Sequence, residues 1–234
     1  MQLTLCMLVK NEEKRLAKAI NSVKSIIDEL IVVDTGSKDK TKQTARKLGA
    51  KVFDFKWNDD FSSARNFSIK KATKEWILVL DADETINKRD INKIKGIIRK
   101  VNKDKKIMGV KFIQRTYSNK ALTLKYQQNI NDGYTESRDY KGWDYRGITR
   151  LFRNDKKIYF EYPIHETVIE SIKKAKGELV SSFIPIHHFG NEKGNGFLKM
   201  KHKLYLKMLK AKVKKFGKKK FLTELEVHKK INDL

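Results

Sequence analysis

Residues Trp76 to Leu80 form an unbroken apolar run, Trp-Ile-Leu-Val-Leu, that stops abruptly at Asp81-Ala82-Asp83. A strand with no polar break along it is covered on both faces, the position of a central strand in a parallel sheet. In open α/β sheets the C-terminal ends of such strands face the crevice where ligands bind. Two carboxylates one residue apart repel each other and resist desolvation there, which favours a cation as partner. Alone, the pair reads equally well as a helix cap, because Asp and Glu favour helix N-termini.

The chain before this run alternates strand-like and helix-like segments. Leu3 to Val9 reads as a strand, and a helix follows from Asn11-Glu12-Glu13 to about Ser25, with Leu16, Ala19, Ile20 and Val23 at helical spacing. Glu29 to Val33 is a second strand. A helix capped by Ser37 or Asp39 leads to Gly49, a natural C′ residue. Lys51 to Phe55 is a third strand, and Phe61 to Ala72 a third helix. Alternation with short loops is the mark of a parallel sheet built by right-handed crossovers.

Beyond Glu84 the pattern changes. Asn87 to Val101 carries Ile91, Ile94 and Ile98 on one helical face. Strands are expected at Ile107 to Tyr117, Leu122 to Tyr126, Ile148 to Arg153, Lys157 to Phe160 and Val180 to His188. The polar stretch from Asn129 to Asp144 has no period and reads as a loop over the site. Between Glu192 and Lys220 there are twelve lysines and one acidic residue, interleaved with an apolar arc that includes Phe197, Met200, Leu204 and Met208. Gly217 separates this helix from a last one, Lys218 to about Asn232. The expected organisation is an α/β domain over residues 1–192 and a basic helical extension over residues 193–234.

At 234 residues with 39% hydrophobic and 10% aromatic side chains, the chain can bury a sizeable core. No apolar run approaches a bilayer span, and the first residues lack the pattern of a signal peptide. The single cysteine, Cys6, excludes an intrachain disulfide and fits a small buried residue. The expectation is a cytoplasmic protein. A formal net charge of +25, with lysine outnumbering arginine 43 to 10, attracts nucleic acid, anionic membrane and phosphorylated small molecules alike. The lysine-rich helix reads as a solvated face on a packed appendage, or as a surface for a charged acceptor or the inner face of an anionic membrane.

Four polar clusters follow the parallel strands and should gather on one rim: Lys10-Asn11-Glu12, Asp34-Thr35-Gly36-Ser37, the segment from Trp57 to Asn66, and Asp81-Ala82-Asp83. A carboxylate such as Asp34 can accept the N3–H of uracil. Arg65 can fork onto phosphate oxygens, and two aspartates can hold a divalent ion against a diphosphate. Together they describe a nucleotide-diphosphate pocket.

These segments resemble family 2 glycosyltransferases of the GT-A fold: Val9-Lys10-Asn11-Glu12-Glu13, Ile31 to Ser37, Asn58 to Asn66, and Trp76 to Glu84. Arg150-Leu151-Phe152-Arg153, Ile164-His165-Glu166 and His188-Phe189-Gly190 resemble the branch that includes lipopolysaccharide-core sugar transferases and a peptide S-glycosyltransferase. The resemblance implies a Rossmann-like, mostly parallel sheet flanked by helices. It implies a nucleotide-sugar site of Lys10, Asn11, Glu12, Asp34, Gly36, Arg65, Asp81, Ala82 and Asp83, with a UDP-linked donor most usual. Mn2+ or Mg2+ would be held by Asp83, with Asp81 at the ribose or metal, and a late histidine would complete the set. His188 matches that position better than His187, and one imidazole among oxygens suits Mn2+.

Inverting transfer of one sugar to a glycan, lipid-linked or peptide acceptor is the implied reaction. It needs a base opposite the leaving diphosphate. Many relatives use an Asp in a Glu-Asp pair, which the second half of this chain lacks. Glu166 is the candidate, with His165 orienting it or acting instead. No Gln-x-x-Arg-Trp of the processive synthases is present, and no glycine-rich nucleotidyltransferase loop. The rivals are a nucleic-acid or anionic-surface binding protein, and a non-catalytic relative on the same scaffold. No motif that reads DNA or RNA is visible, and intact Asp34, Asp81 and Asp83 argue against degeneracy.

Overall fold

The computed structural model describes residues 2–121, 123–190, 195–217 and Phe221. Strands β1 (Leu3–Val9), β2 (Glu29–Asp34), β3 (Lys51–Asp54) and β4 (Trp76–Val79) form the parallel block, in the order β3-β2-β1-β4. Every residue of β2 and β4 is buried, as unbroken apolar runs between two helical layers require. The sheet continues through β8 (Gly142–Arg153), β6 (Ile107–Ser118), β9 (Glu178–His188) and the two-residue β5 (Glu84–Thr85). Strand β7 (Tyr126–Gln128) pairs with β8 at the edge. In this second half only β6 and β9 run parallel; β4–β8, β8–β6 and β9–β5 are antiparallel.

Helices α1 (Leu16–Val23) and α4 (Lys88–Val101) bury Leu16, Ala19, Ile20, Ile91, Ile94 and Ile98 against one face of the sheet. The other face is covered by residues near α3 (Phe61–Ile69) and α5 (Ile169–Lys174). Cys6 is fully buried there, its thiol pushed up by burial. The remaining helices are α2 (Thr41–Lys47), which ends at Gly49 with φ +90°, and the 22-residue α6 (Asn195–Phe216).

Several expectations are corrected by where backbone groups find partners. The helix expected from Asn11 begins at Leu16. Asn11 is left-handed (φ +55°), and the N–H groups of Asn11, Glu12 and Glu13 donate to Ser37 Oγ, Thr41 Oγ1 and Asp39 Oδ2. The stretch Lys157–Phe160 is no strand: the Asn66 side-chain amide takes both backbone groups of Phe160, at 2.7 and 2.9 Å, in place of a ladder. The strand expected at Leu122 to Tyr126 lies instead at Tyr126–Gln128, and Leu124 is fully exposed. Residues Gly142 to Asp144, expected in the loop, open the 12-residue β8, because β6 supplies partners along its length. The rest of that loop packs on α4: Tyr134 Oη donates to Asp90 at 2.9 Å and Asn87 to Glu136 at 2.7 Å. The helix expected from Lys218 lies outside the described residues apart from Phe221.

Candidate functional site

All four polar clusters stand at the C-terminal ends of the parallel strands. Asp34 ends β2, fully buried. Its Oδ1 accepts the N–H groups of Gly36 and Ser37 at 2.9 and 2.8 Å, an Asx turn that Gly36 permits with φ +102°. Its Oδ2 is buried with no partner. The β1 and β2 ends are stitched together by Asn11, whose Oδ1 accepts the Lys38 N–H at 2.8 Å. Lys10 is exposed beside it and Glu12 half-buried. This rim is held open and rigid by backbone donors, with one buried acceptor left over.

Asp81, Ala82 and Asp83 follow β4 as expected, but the two carboxylates have different surroundings. Asp81 is clamped between Arg65 on α3 and Arg150 on β8, with Arg150 Nη2 at 2.7 Å from its Oδ2. Desolvation pushes its carboxyl up, and the two guanidiniums more than reverse this, holding it well below the usual range. Arg150 also donates to Glu84 Oε1 at 2.7 Å, and Gln114 donates to the same oxygen. Arg65, expected to fork onto phosphate, is only 4% exposed and is committed to Asp81 and, through Nε at 3.2 Å, to Glu166. It acts as an internal strut joining the two carboxylates.

Asp83 stands free of this network and faces His188, with Oδ2 3.7 Å from Nε2. The other imidazole nitrogen of His188, Nδ1, is 3.0 Å from Thr116 Oγ1, which fixes the ring. The short β5–β9 pairing brings these segments together, and the Phe189 N–H donates to the Asp83 carbonyl at 2.9 Å. Gly190 lies over the pair: a Cβ there would sit 2.6 Å from His188 Nε2 and Cε1. His187 points to the opposite side of β9. It is fully buried, stacks on Tyr117, approaches the Tyr117 hydroxyl at 2.6 Å, and is pushed down to about 4 by burial against the pull of Glu136. Alternation along β9 thus separates the two histidines. Among the described residues no cluster of three His, Cys, Asp or Glu side chains is poised to hold a metal. Asp83 and His188 pair a carboxylate oxygen with an imidazole nitrogen, donor types that a divalent ion such as Mn2+ takes.

Glu166 is presented by a loop in which Tyr162 and His165 have φ of +75° and +52°. Arg65 holds its Oε1. His165 is exposed, with its ring 6.4 Å from that of Tyr205 on α6. Tyr205 also meets Phe61 edge-on at 6.1 Å, and Met208 and Leu209 are buried on Ile164. Burial pushes the Tyr205 phenol up, and Glu166, Asp81 and Asp83 add to the shift while Arg146 opposes it. Tyr205 and Arg146 lie outside every motif read from the sequence, whereas Glu84 and Arg150 lie within such motifs without an assigned role in the site.

A cavity of about 330 Å³ lies at the far end of the sheet among Lys24, Glu29, Lys51 and Lys74. A hollow of about 50 Å³ between Lys18, Ala82, Asp83 and Phe189 has room for a water or two. The rim site is an open shelf.

Residues 4–162 match the family model for glycosyl transferase family 2, and the chain belongs to that family. It is 36% identical over 172 residues to a TPR repeat-containing protein of Synechococcus elongatus, covering 73% of this chain and 36% of that one. It is 31% identical over 166 residues to the SPbeta prophage-derived glycosyltransferase SunS of Bacillus subtilis, covering 70% of this chain and 34% of SunS. The chain spans about a third of the length of these curated relatives. The GT-A fold is shared with two solved structures. One is S. aureus TarS 1-349 in complex with UDP-GlcNAc (TM-score 0.55, 17% identity, 89% of this chain and 66% of that one). The other is glucosyl-3-phosphoglycerate synthase from Mycobacterium tuberculosis in complex with Mn2+ and UDP-glucose (TM-score 0.56, 14% identity, 90% of this chain and 79% of that one).

Proposed function

We propose that this chain is a divalent-metal-dependent, inverting glycosyltransferase that moves a single sugar from a UDP-linked donor to a glycan, lipid-linked or peptide acceptor. The observation that carries the reading is the isolated Asp83–His188 pair, 3.7 Å apart, beside a rim whose buried Asp34 Oδ2 lacks a donor. Uracil N3–H is the donor that oxygen accepts, while Asn11, Glu12, Lys10 and Gly36 line the nucleoside shelf. Asp83 and His188 would hold Mn2+ or Mg2+, which supplies neutralisation of the diphosphate's charge when bound. Asp81 is taken up by Arg65 and Arg150 and serves by positioning rather than by ligation. Two protein ligands leave positions for donor phosphate oxygens and water.

On the acceptor side, Glu166 takes the proton of the attacking hydroxyl or thiol through Oε2, since Arg65 engages Oε1 and orients the carboxylate. His165 borders the same opening and is the alternative base. The exposed lysines of α6, Lys207, Lys210, Lys214 and Lys215, turn outward while Met208 and Leu209 pack inward, which supports peripheral contact with anionic membrane. No described helix is long and apolar enough to cross a membrane. The division at residues 192 and 193 belongs to this reading as well.

The test is calorimetry with UDP in the presence and absence of Mn2+, followed by UDP release from a panel of UDP-sugars. Asp83→Ala should abolish the metal-dependent part of UDP binding and reduce turnover by about 100-fold or more. Metal-independent UDP binding, or none in the wild type, sinks the proposal.

A further inference from the structure

Stabilising a departing diphosphate calls for a cation besides the metal, and the arginine the sequence offers for it, Arg65, is 4% exposed and engaged through Nη2 and Nε with Asp81 and Glu166, with only its buried Nη1 unpartnered. Arg150 is likewise 5% exposed and spent on Asp81 and Glu84. Arg146, two pleats before Arg150 on β8, is exposed. Its Nε donates to Gln114 Oε1, and Gln114 in turn donates to the buried Glu84. The side chain is therefore anchored at Nε, and its terminal Nη groups make no hydrogen bond or ion pair with the described residues.

Register fixes where that fork points. Arg146 pairs with Gln114 across β8 and β6, and Thr116, one pleat further along β6, pairs with His188 on β9. Residues opposite one another, and residues two apart, share a sheet face. Both side-chain bonds, Arg146 to Gln114 and Thr116 to His188, confirm the shared face. Arg146 and His188 thus flank β6 on one face, two strand spacings across and one pleat along, about 12 Å apart. An extended arginine and a diphosphate together span that gap. The Tyr205 phenol is pushed up by burial and by Glu166, Asp81 and Asp83, and Arg146 opposes the shift.

Resting on the donor-site reading above, we infer that Arg146 is the guanidinium that grips the diphosphate of the nucleotide donor opposite the Asp83–His188 corner, and that Arg65 is a positioning residue. The planar fork matches two phosphate oxygens, and charge that builds on the leaving group in the transition state strengthens the contact. No new covalent step is involved: as the sugar–oxygen bond breaks, the electron pair stays on the diphosphate that Arg146 holds.

UDP and UMP discriminate this role, because only UDP carries the second phosphate. Titrations of the full chain with each nucleotide in Mn2+ buffer compare wild type, Arg146→Ala and Arg146→Lys. Arg146→Ala should weaken UDP about tenfold and leave UMP within about twofold, and Arg146→Lys should recover part of the loss. Unchanged UDP affinity in Arg146→Ala, with the wild type still binding UDP in a metal-dependent way, overturns this inference and leaves the donor site standing. Equal loss of UDP and UMP, or intact UDP affinity with reduced UDP release from UDP-glucose, overturns it as well. Absence of UDP binding by the wild type removes both.

Discussion

Asp81 and Asp83 stand one residue apart and do different work. Asp81 lies between two buried guanidiniums, and removing either arginine leaves a second carboxylate, Glu166 or Glu84, without its counterion. Asp83 keeps its carboxylate for His188 and whatever binds between them. Gly190 shows how tightly that corner is built, because its φ is ordinary and only space forbids a side chain. Gly190→Ala is expected to push the His188 imidazole off Asp83, so Mn2+-dependent UDP affinity should fall about tenfold or more while the melting temperature stays within a few degrees. Calorimetry paired with thermal denaturation checks this, and wild-type affinity would show that the imidazole moves aside harmlessly.

At the scale of elements, β8 and α6 change meaning most. Strand β8 carries the buried Arg150 and the exposed Arg146 four residues apart, so a single strand supplies both a strut and a candidate ligand. Helix α6 places Met208 and Leu209 at 2% and 0% exposure against Ile164, and turns Tyr205 toward the carboxylates. It is part of the wall of the site, however its lysines are used. A chain ending at residue 193 should lose about 3 kcal/mol or more of stability, since each of those side chains contributes about 1.5–3 kcal/mol when buried. Urea denaturation measures it; an unchanged midpoint would mark α6 as a detachable docking element. The same truncation assayed on anionic vesicles reports on the membrane reading separately.

For the molecule as a whole, one contribution to stability toward acid lies at the end of the sheet away from the site, beside that of Asp81. Glu29 is buried at the start of β2 and accepts from Thr4 Oγ1 at 2.7 Å, Thr73 N at 2.8 Å and Lys51 Nζ at 2.9 Å. Burial pushes its carboxyl up, but those donors prevail and hold it down to about 2. A depressed carboxyl stabilises the fold above its unfolded value near 4.5, and the contribution fades as pH falls from there to about 2. The link amounts to about 3 kcal/mol at neutral pH. Stability of the wild type should therefore drop between pH 5 and pH 2, and Glu29→Gln should flatten much of that drop. Parallel slopes for the two proteins would rule the residue out as the acid trigger.

The parallel half of this protein was legible from its amino-acid order, because β1, β2 and β4 are apolar without interruption and each stops at a polar cluster. Chain order alone then places Asp34, Asp81 and Asp83 on one rim. The second half was not legible to the same degree. Strand β8 alternates charged and apolar residues, and Lys157–Phe160 looks like a strand until Asn66 answers its backbone. What only the tertiary structure decided is which charges meet: Arg65 closing on Asp81 and Glu166, residues 16 and 101 positions away, and His188 rather than His187 turning to Asp83. Local pattern sets period and polarity. Pairing between distant buried charges depends on the energy of desolvating each one, and that energy is settled when the strands are side by side.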